Sequence, residues 1–451
     1  MSFMKKQIFG IKIFHMAALI FWYVTLFPGK VHVDTGTQLQ LIKDGQTTNQ
    51  WTSSYFLILQ LFSFGGRTTA LVSLFSLICL YFSLYYFSRV FSQTFSFMDR
   101  SQTVLLFTPL FGFWGMAVNH DIFAACGAVL LFSLGAELLI YKNRIRIPIV
   151  FIGVFLSTFS YLTLSSAIVL GLSLLIKRKI KEALVISLTI LSFLLINFSG
   201  MYTTPKIATA IPLLSDIKCA TESPSINLSD DNWAILSDLA PTEFWITPQI
   251  GFACSQSNSL FGNIDKSNLD AREVLKVWID VVQDKPTIVF VSHLMKSREA
   301  FPPPLMQPPN NYVDISGTSK DFRTLQNNSF LMTTRDDSNN FPIPGMAEIG
   351  KAVDFSGFVF NLRTDYFGWA GLWLLLSILI FFFKFRTLNS LLIFLILGAP
   401  HVMTFLIAPD VDLRYLLATC FIGYLFSIES LIRKYFELKA HNRLQSVRAG
   451  Q

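Results

Sequence analysis

Residues 119–146 read NHDIFAACGAVLLFSLGAELLIYKNRIR. Between Asp121 and Lys142 lies an apolar run, Ile122 to Tyr141. As a helix rising about 1.5 Å per residue it reaches about 30 Å, the depth of bilayer hydrocarbon. One end carries Asn119, His120 and Asp121, and the other carries Lys142, Arg144 and Arg146. The stretch therefore predicts a membrane-spanning helix with a polar, acidic end and a basic end. The rest of the chain agrees. Over 451 residues, 52% are hydrophobic against 14% charged, 45 are Phe and the mean hydropathy is +0.50, which excludes a water-soluble globule. Ordinary Pro and Gly content and only 5 Cys exclude low-complexity disorder and a disulfide-dense mini-domain.

Further runs of the same kind cover Gln7 to Phe27, Thr69 to Val90, Thr103 to Val118, Pro148 to Leu175, Ala183 to Ser199, Tyr366 to Phe383, Leu388 to Ile407 and Tyr415 to Ile432. The first follows Lys5 and Lys6 and has no small-residue cleavage site before Pro28, so it reads as a retained helix. Lys and Arg in short loops resist translocation and mark the cytoplasmic side. They cluster at Lys5/Lys6, Arg89/Arg100, Lys142 to Arg146, Lys177 to Lys181, Lys384/Arg386 and in the tail from Arg433. Pro148 to Leu175 is flanked by basic clusters on both sides, so it must cross an even number of times, and Thr163, Ser165 and Ser166 suggest where a helical hairpin turns. The net charge of +7 is thus accounted for by loops, and nucleic acid is not the partner.

The expectation is an all-α polytopic membrane protein of about ten helices with both termini inside. Residues 1–200 form an N-terminal membrane module whose first outer loop is 28–67, residues 201–365 form an extracytoplasmic domain of mixed structure, and residues 366–451 supply the last helices and a basic tail. In the outer domain, Asn268 to Ser297 has helical periodicity interrupted by Pro286, and the Pro-rich segments around Pro303 and Pro308 read as loops. Cys219 and Cys254 are the two cysteines outside the spans, and an oxidising compartment would permit a disulfide between them.

Four places can carry chemistry. In the first outer loop, Asp34 can act as a base for an acceptor hydroxyl, or Asp34 or Thr35 can cap a helix over Gln38 to Ile42. At the junction of the third and fourth spans, Asp121 is a carboxylate at membrane depth, where such groups are costly unless paired or facing a cavity. The alternative there is an N-cap. His120 stands beside it. Two such carboxylates, Asp34 and Asp121, can also share a divalent cation such as Mg or Mn. At the start of the last span, the planar fork of Arg414 suits a phosphate, with Tyr415 at the interface, although Asp410 and Asp412 are equally available partners. His401 lies near the outer end of the preceding span, where it can face the same cavity or simply pack. Phosphate loops, dinucleotide fingerprints, zinc-protease motifs, Cys-x-x-Cys pairs and nucleophile elbows are all missing from the sequence.

An early span, an outer loop reading Pro28-Gly29, Asp34, Gln38, Trp51 and Tyr55, the acidic junction His120-Asp121-Ile122-Phe123-Ala124, and Arg414-Tyr415-Leu416 at a late helix together resemble the GT-C superfamily of membrane glycosyltransferases. His120 stands where members frequently carry Lys, and Trp278 to Phe290 resembles an outer-domain helix of some members. The resemblance implies transfer of a sugar from a polyprenyl phosphate or diphosphate to a cell-surface glycan such as an O-antigen of lipopolysaccharide. The reaction would invert the anomeric carbon on the periplasmic face of a bacterial inner membrane. It also implies Asp34 and Asp121 as catalytic residues, with His120, Arg414, Tyr415, His401 and Trp51 binding substrate. The partners would be a lipid-linked sugar donor, a glycan acceptor and membrane lipids. Two other classes stay open. A polysaccharide polymerase or ligase would rely on outer-domain arginines such as Arg272, Arg298, Arg323 and Arg335. A transporter would predict internal repeats or broken, charged mid-membrane helices, and neither is evident.

Overall fold

The computed structural model describes residues 2–27, 29–31, 33–46, 52–197, 206–222, 226–247, 263–265, 267–296, 370–407 and 416–449. The described residues form helices throughout, apart from one pair of two-residue strands. In chain order the first half comprises α1 (Ser2–Thr25), β1 (Lys30–Val31), α2 (Val33–Lys43), α3 (Ser53–Phe62), α4 (Ala70–Phe91), α5 (Met98–Leu106), α6 (Pro109–Gly115), β2 (Ala117–Val118), α7 (His120–Leu139), α8 (Ile147–Ser157), α9 (Tyr161–Ile176) and α10 (Ile180–Asn197). Then follow α11 (Lys206–Thr221), α12 (Asp230–Leu239), α13 (Thr242–Ile246), α14 (Ala271–Asp284), α15 (Pro286–Lys296), α16 (Ala370–Phe385), α17 (Leu388–Ile407) and α18 (Leu417–Ala449).

Three described helices, α4, α7 and α17, are long and apolar enough to cross a membrane. α7 is the hub. Every residue from His120 to Leu139 is buried, because α4, α8, α9, α17 and α18 enclose it. Its closest neighbour, α8, is admitted by Gly127, where a Cβ would stand 2.4 Å from the Ser157 amide nitrogen. Small residues at such contacts let helix backbones approach in an apolar medium, where packing replaces the hydrophobic drive. Phenylalanines fill the space among α4, α7, α16, α17 and α18: Phe91 and Phe426 meet edge to face at 5.4 Å, Phe91 and Phe132 stack at 5.7 Å, and Phe381 meets Phe394 at 4.9 Å. Much of the exceptional Phe content is spent here, where offset and T-shaped pairs gain more than area alone.

Two expected spans are built differently. Thr103 to Val118 is not one helix: the chain breaks after Leu106, Thr108 caps α6 by accepting from the Phe111 amide, and Pro109 occupies the first turn, where its missing N–H does no harm. Pro148 to Leu175 does form two short helices, but the turn lies at Thr158 to Ser160. Thr163, Ser165 and Ser166 are inside α9, their hydroxyls bonded to backbone carbonyls: Thr163 to those of Ser157 and Ser160, Ser165 to that of Leu162 and Ser166 to that of Ile396.

A second core belongs to the segment between α10 and α16. Ala210, Leu214 and Ile217 of α11 pack with Leu236, Trp245 and the Val274, Val277 and Val281 face of α14. The break expected at Pro286 separates α14 from α15. The described part of this region is helical, and residues 297–369 lie outside the described residues. Cys219 is disulfide-bonded, while Cys79, Cys126 and Cys420 are free and buried; Cys254 lies outside the described residues.

Candidate functional site

The site starts from Gly29. Its φ of +114° suits only glycine, and a Cβ there would lie 2.5 Å from that of Ser73 and 3.2 Å from the Met116 carbonyl oxygen. The chain leaving α1 is thereby pressed against α4 and the end of α6. Directly afterwards β1 pairs in parallel with β2, Lys30 opposite Ala117 and Val31 opposite Val118. The first outer loop and the junction before α7 are thus tied together. From the paired valines the chain runs three residues to Asp34 on one side and three residues to Asp121 on the other.

Asp34 lies in the first turn of α2; its side chain, like His32, Trp51, Arg414 and Tyr415, lies outside the described residues. α2 buries Thr35, Gln38, Leu39 and Ile42, the spacing of one helical face. Thr35 does not cap the helix. Its hydroxyl donates to the Val118 carbonyl at 2.7 Å and lies 3.3 Å from the Tyr55 hydroxyl, fastening α2 to β2 and to α3. Thr52 caps α3 and also donates to the Phe159 carbonyl at 3.4 Å. Tyr55 is fully buried, its ring 5.7 Å from those of His120 and Phe159 and 6.0 Å from Phe123.

At the start of α7 the cap is Asn119, whose side chain accepts from the Asp121 amide at 3.0 Å. Asp121 is therefore released from capping and sits in the first turn, where the helix dipole favours a negative charge. It is 2% exposed, with His120 Nε2 at 3.3 Å from one carboxylate oxygen. The buried face of α2 carries a further polar group. Gln38 is 1% exposed, and neither polar atom of its amide has a hydrogen-bond partner among the described residues; the Asn119 Nδ2 has none either. Buried amides in native proteins are almost always satisfied, by protein, water or ligand.

His401 is buried on α17, with Nε2 2.9 Å from the Thr419 hydroxyl of α18. Among the described residues, no three His, Cys, Asp or Glu side chains converge as a metal centre would require. Sequence reading offered Thr35 as a helix cap and Gln38 as part of the loop motif, and assigned neither of them, nor Asn119, to the site. The available signal was two polar residues, Thr35 and Gln38, sharing the i, i+3, i+4, i+7 face with Leu39 and Ile42.

At the other end of α7 the basic segments gather. Glu137 accepts from Tyr86, pairs with Arg146 at 2.9 Å and accepts from Asn143 at 3.4 Å. Lys179 and Asn389 donate to the Leu138 and Leu139 carbonyls at 2.8 and 2.6 Å. The β1–β2 bridge and the basic clusters thus occupy opposite ends of one buried helix. No family model, curated protein or solved structure matches the chain.

Proposed function

We propose that this chain is a multi-pass glycosyltransferase of the GT-C type in a bacterial inner membrane, moving a sugar from a polyprenyl phosphate or diphosphate to a cell-surface glycan on the periplasmic face. The observation that carries the reading is the β1–β2 bridge, which joins the Asp34 loop to the Asp121 junction at the end of the bundle away from the basic clusters. Lys and Arg loops stay cytoplasmic, so that end faces outward. A lipid-linked donor reaches such a site laterally, and the buried Asp121, His120 and Gln38 give it polar groups at the depth of the lipid headgroups.

In the proposed reaction Asp34 takes the proton of an acceptor hydroxyl as that oxygen attacks the anomeric carbon. The bond from this carbon to the phosphate oxygen breaks, the electron pair leaves with the polyprenyl phosphate, and the configuration inverts. Arg414 holds the leaving phosphate, whose charge grows as the bond breaks, and Asp121 with His120 orients the acceptor. Asp34→Asn keeps the size and removes the base. Transfer is expected to fall at least about 100-fold while membrane expression persists, read as loss of the added sugar from surface glycan by mass spectrometry. A well-expressed Asp34→Asn protein with near-normal glycan would overturn the assignment.

A further inference from the structure

α14 and α15 follow each other across Pro286 yet turn different surfaces outward. α14 buries Val274, Val277 and Val281 and carries Arg272, Glu273, Lys276, Asp280 and Asp284 on the rest of its circumference, with Leu275 and Ile279 exposed among these charges. α15 has no Asp, Glu, Lys or Arg between Pro286 and Met295, and Lys285 and Lys296 bracket it. Its inward face is Val289, Ser292 and His293. Its opposite face presents Phe290 at 54% exposure and Val291 at 47%.

The height of α15 is fixed by its contacts. His293 Nδ1 donates to the Phe405 carbonyl at 2.6 Å, and the Phe290 ring meets the Phe405 ring edge to face at 5.8 Å. Phe405 is two residues from the end of α17, the end remote from Arg386. A helix of this length places it about 26 Å above its first residue, at the outer margin of about 30 Å of hydrocarbon. On its other side His293 Nε2 lies 2.9 Å from Asp216 of α11, a carboxylate that also accepts from Trp278 Nε1 at 2.9 Å and from the Ser292 hydroxyl at 3.2 Å. α15 is therefore held between the outer helices and the end of a membrane helix, with an aromatic and a branched aliphatic side chain about half exposed at that height.

We infer that α15 is an interfacial helix, lying on the outer leaflet with Phe290 and Val291 among the acyl chains and Lys285 at the lipid phosphates. The inference rests on the membrane orientation proposed above for α17. Apolar side chains at this depth gain by leaving water, and a lysine at the end of such a segment snorkels toward phosphates. The helices of the second core are then held to the bilayer by lipid as well as by their chain connections.

The test uses the full chain in vesicles of phosphatidylethanolamine and phosphatidylglycerol. Nitroxide labels are placed singly at Phe290→Cys, Val291→Cys, Lys276→Cys on α14 and Val402→Cys on the exposed side of α17, with the unsubstituted protein showing the background from its own cysteines. Collision with oxygen, which concentrates in lipid, is compared with collision with a water-soluble nickel chelate. The expected result is that labels at positions 290 and 291 behave like 402, oxygen-rich and shielded from nickel, whereas 276 is open to nickel. Labels at both 290 and 291 that match 276 while 402 stays shielded would overturn the interfacial helix and leave the span intact. A nickel-accessible label at 402 would overturn the span itself and the inference with it. The two α15 variants act as independent reporters should one of them fold poorly.

Discussion

α7 carries a buried carboxylate at each end, and the two are treated differently. Glu137 is enclosed by Tyr86, Asn143 and Arg146, all supplied by the protein, and the carbonyls that follow it receive Lys179 and Asn389. This end is a finished joint: the free carbonyls of a helix C-terminus are met by donors and a cation, which also complement the dipole. The Asp121 end is equally buried, and the Asn119 Nδ2 there and the Gln38 amide on α2 lack partners among the described residues. On the proposed reading, the Asp121 end is the one that receives substrate, and the Glu137 end is the structural joint. Both carboxylates are buried, but Glu137 faces Arg146 whereas Asp121 stands beside His120.

The largest expected effect tests the Asp121 end. Asp121→Asn should preserve the fold, since Asn119 and not Asp121 caps α7, and transfer should fall about 100-fold, the scale of losing a group that orients the reacting hydroxyl. Glycan transfer and thermal stability in detergent are measured on the same preparation. A variant that loses stability and keeps transfer would reverse the comparison, making Asp121 the structural carboxylate.

Glu137→Ala is the converse. It removes the acceptor of the buried Tyr86 hydroxyl and empties a packed site, and a stranded polar group of this kind costs about 1–3 kcal/mol. Arg146 is half-exposed and turns to water at little cost, so the loss is less than for a fully buried ion pair. A lower midpoint of thermal unfolding is expected, with transfer per folded molecule unchanged. Transfer that falls as steeply as in Asp121→Asn, at unaltered stability, would place chemistry at the basic end.

How much of this was legible in sequence follows from the range of each interaction. α4, α7 and α17 are written in continuous hydropathy, and the polar and basic ends of α7 are visible in residues 119–146 alone. The break before Pro109 was also there to be read, since Thr108-Pro109 is a cap followed by a first-turn proline, but the apolar run on both sides masked it. α3 escaped notice because its 10 residues are too short to span and lie in a loop otherwise rich in polar residues. The β1–β2 bridge was not legible at all. Two-residue strands have no periodicity, and their pairing depends on Gly29 being driven against Ser73 and the Met116 carbonyl, a contact between segments distant in sequence. Asp121 was rightly singled out as a buried carboxylate, but whether it or Asn119 made the cap depended on where α7 begins, a boundary that hydropathy does not fix.

The smallest effect is the most discriminating, because it asks what the unmet amide is for. Gln38→Leu keeps roughly the volume of the side chain and removes both polar atoms. If the amide holds a substrate hydroxyl, the variant loses about one neutral hydrogen bond on binding, roughly 1.4 kcal/mol or about tenfold in KM, with kcat little changed. Stability should hold or rise slightly, since an apolar group replaces a buried polar one that no described residue satisfies. Gln38→Asn, which retains the amide on a shorter stem, should recover part of the lost affinity. Unchanged KM in Gln38→Leu would mean that only water completes this amide, and the asymmetry between the two ends of α7 would then rest on the Asp121 end without Gln38. Lower stability in Gln38→Leu at constant KM would instead show that the amide is satisfied within the fold, and that α2 is fastened at this end much as Glu137 fastens the other.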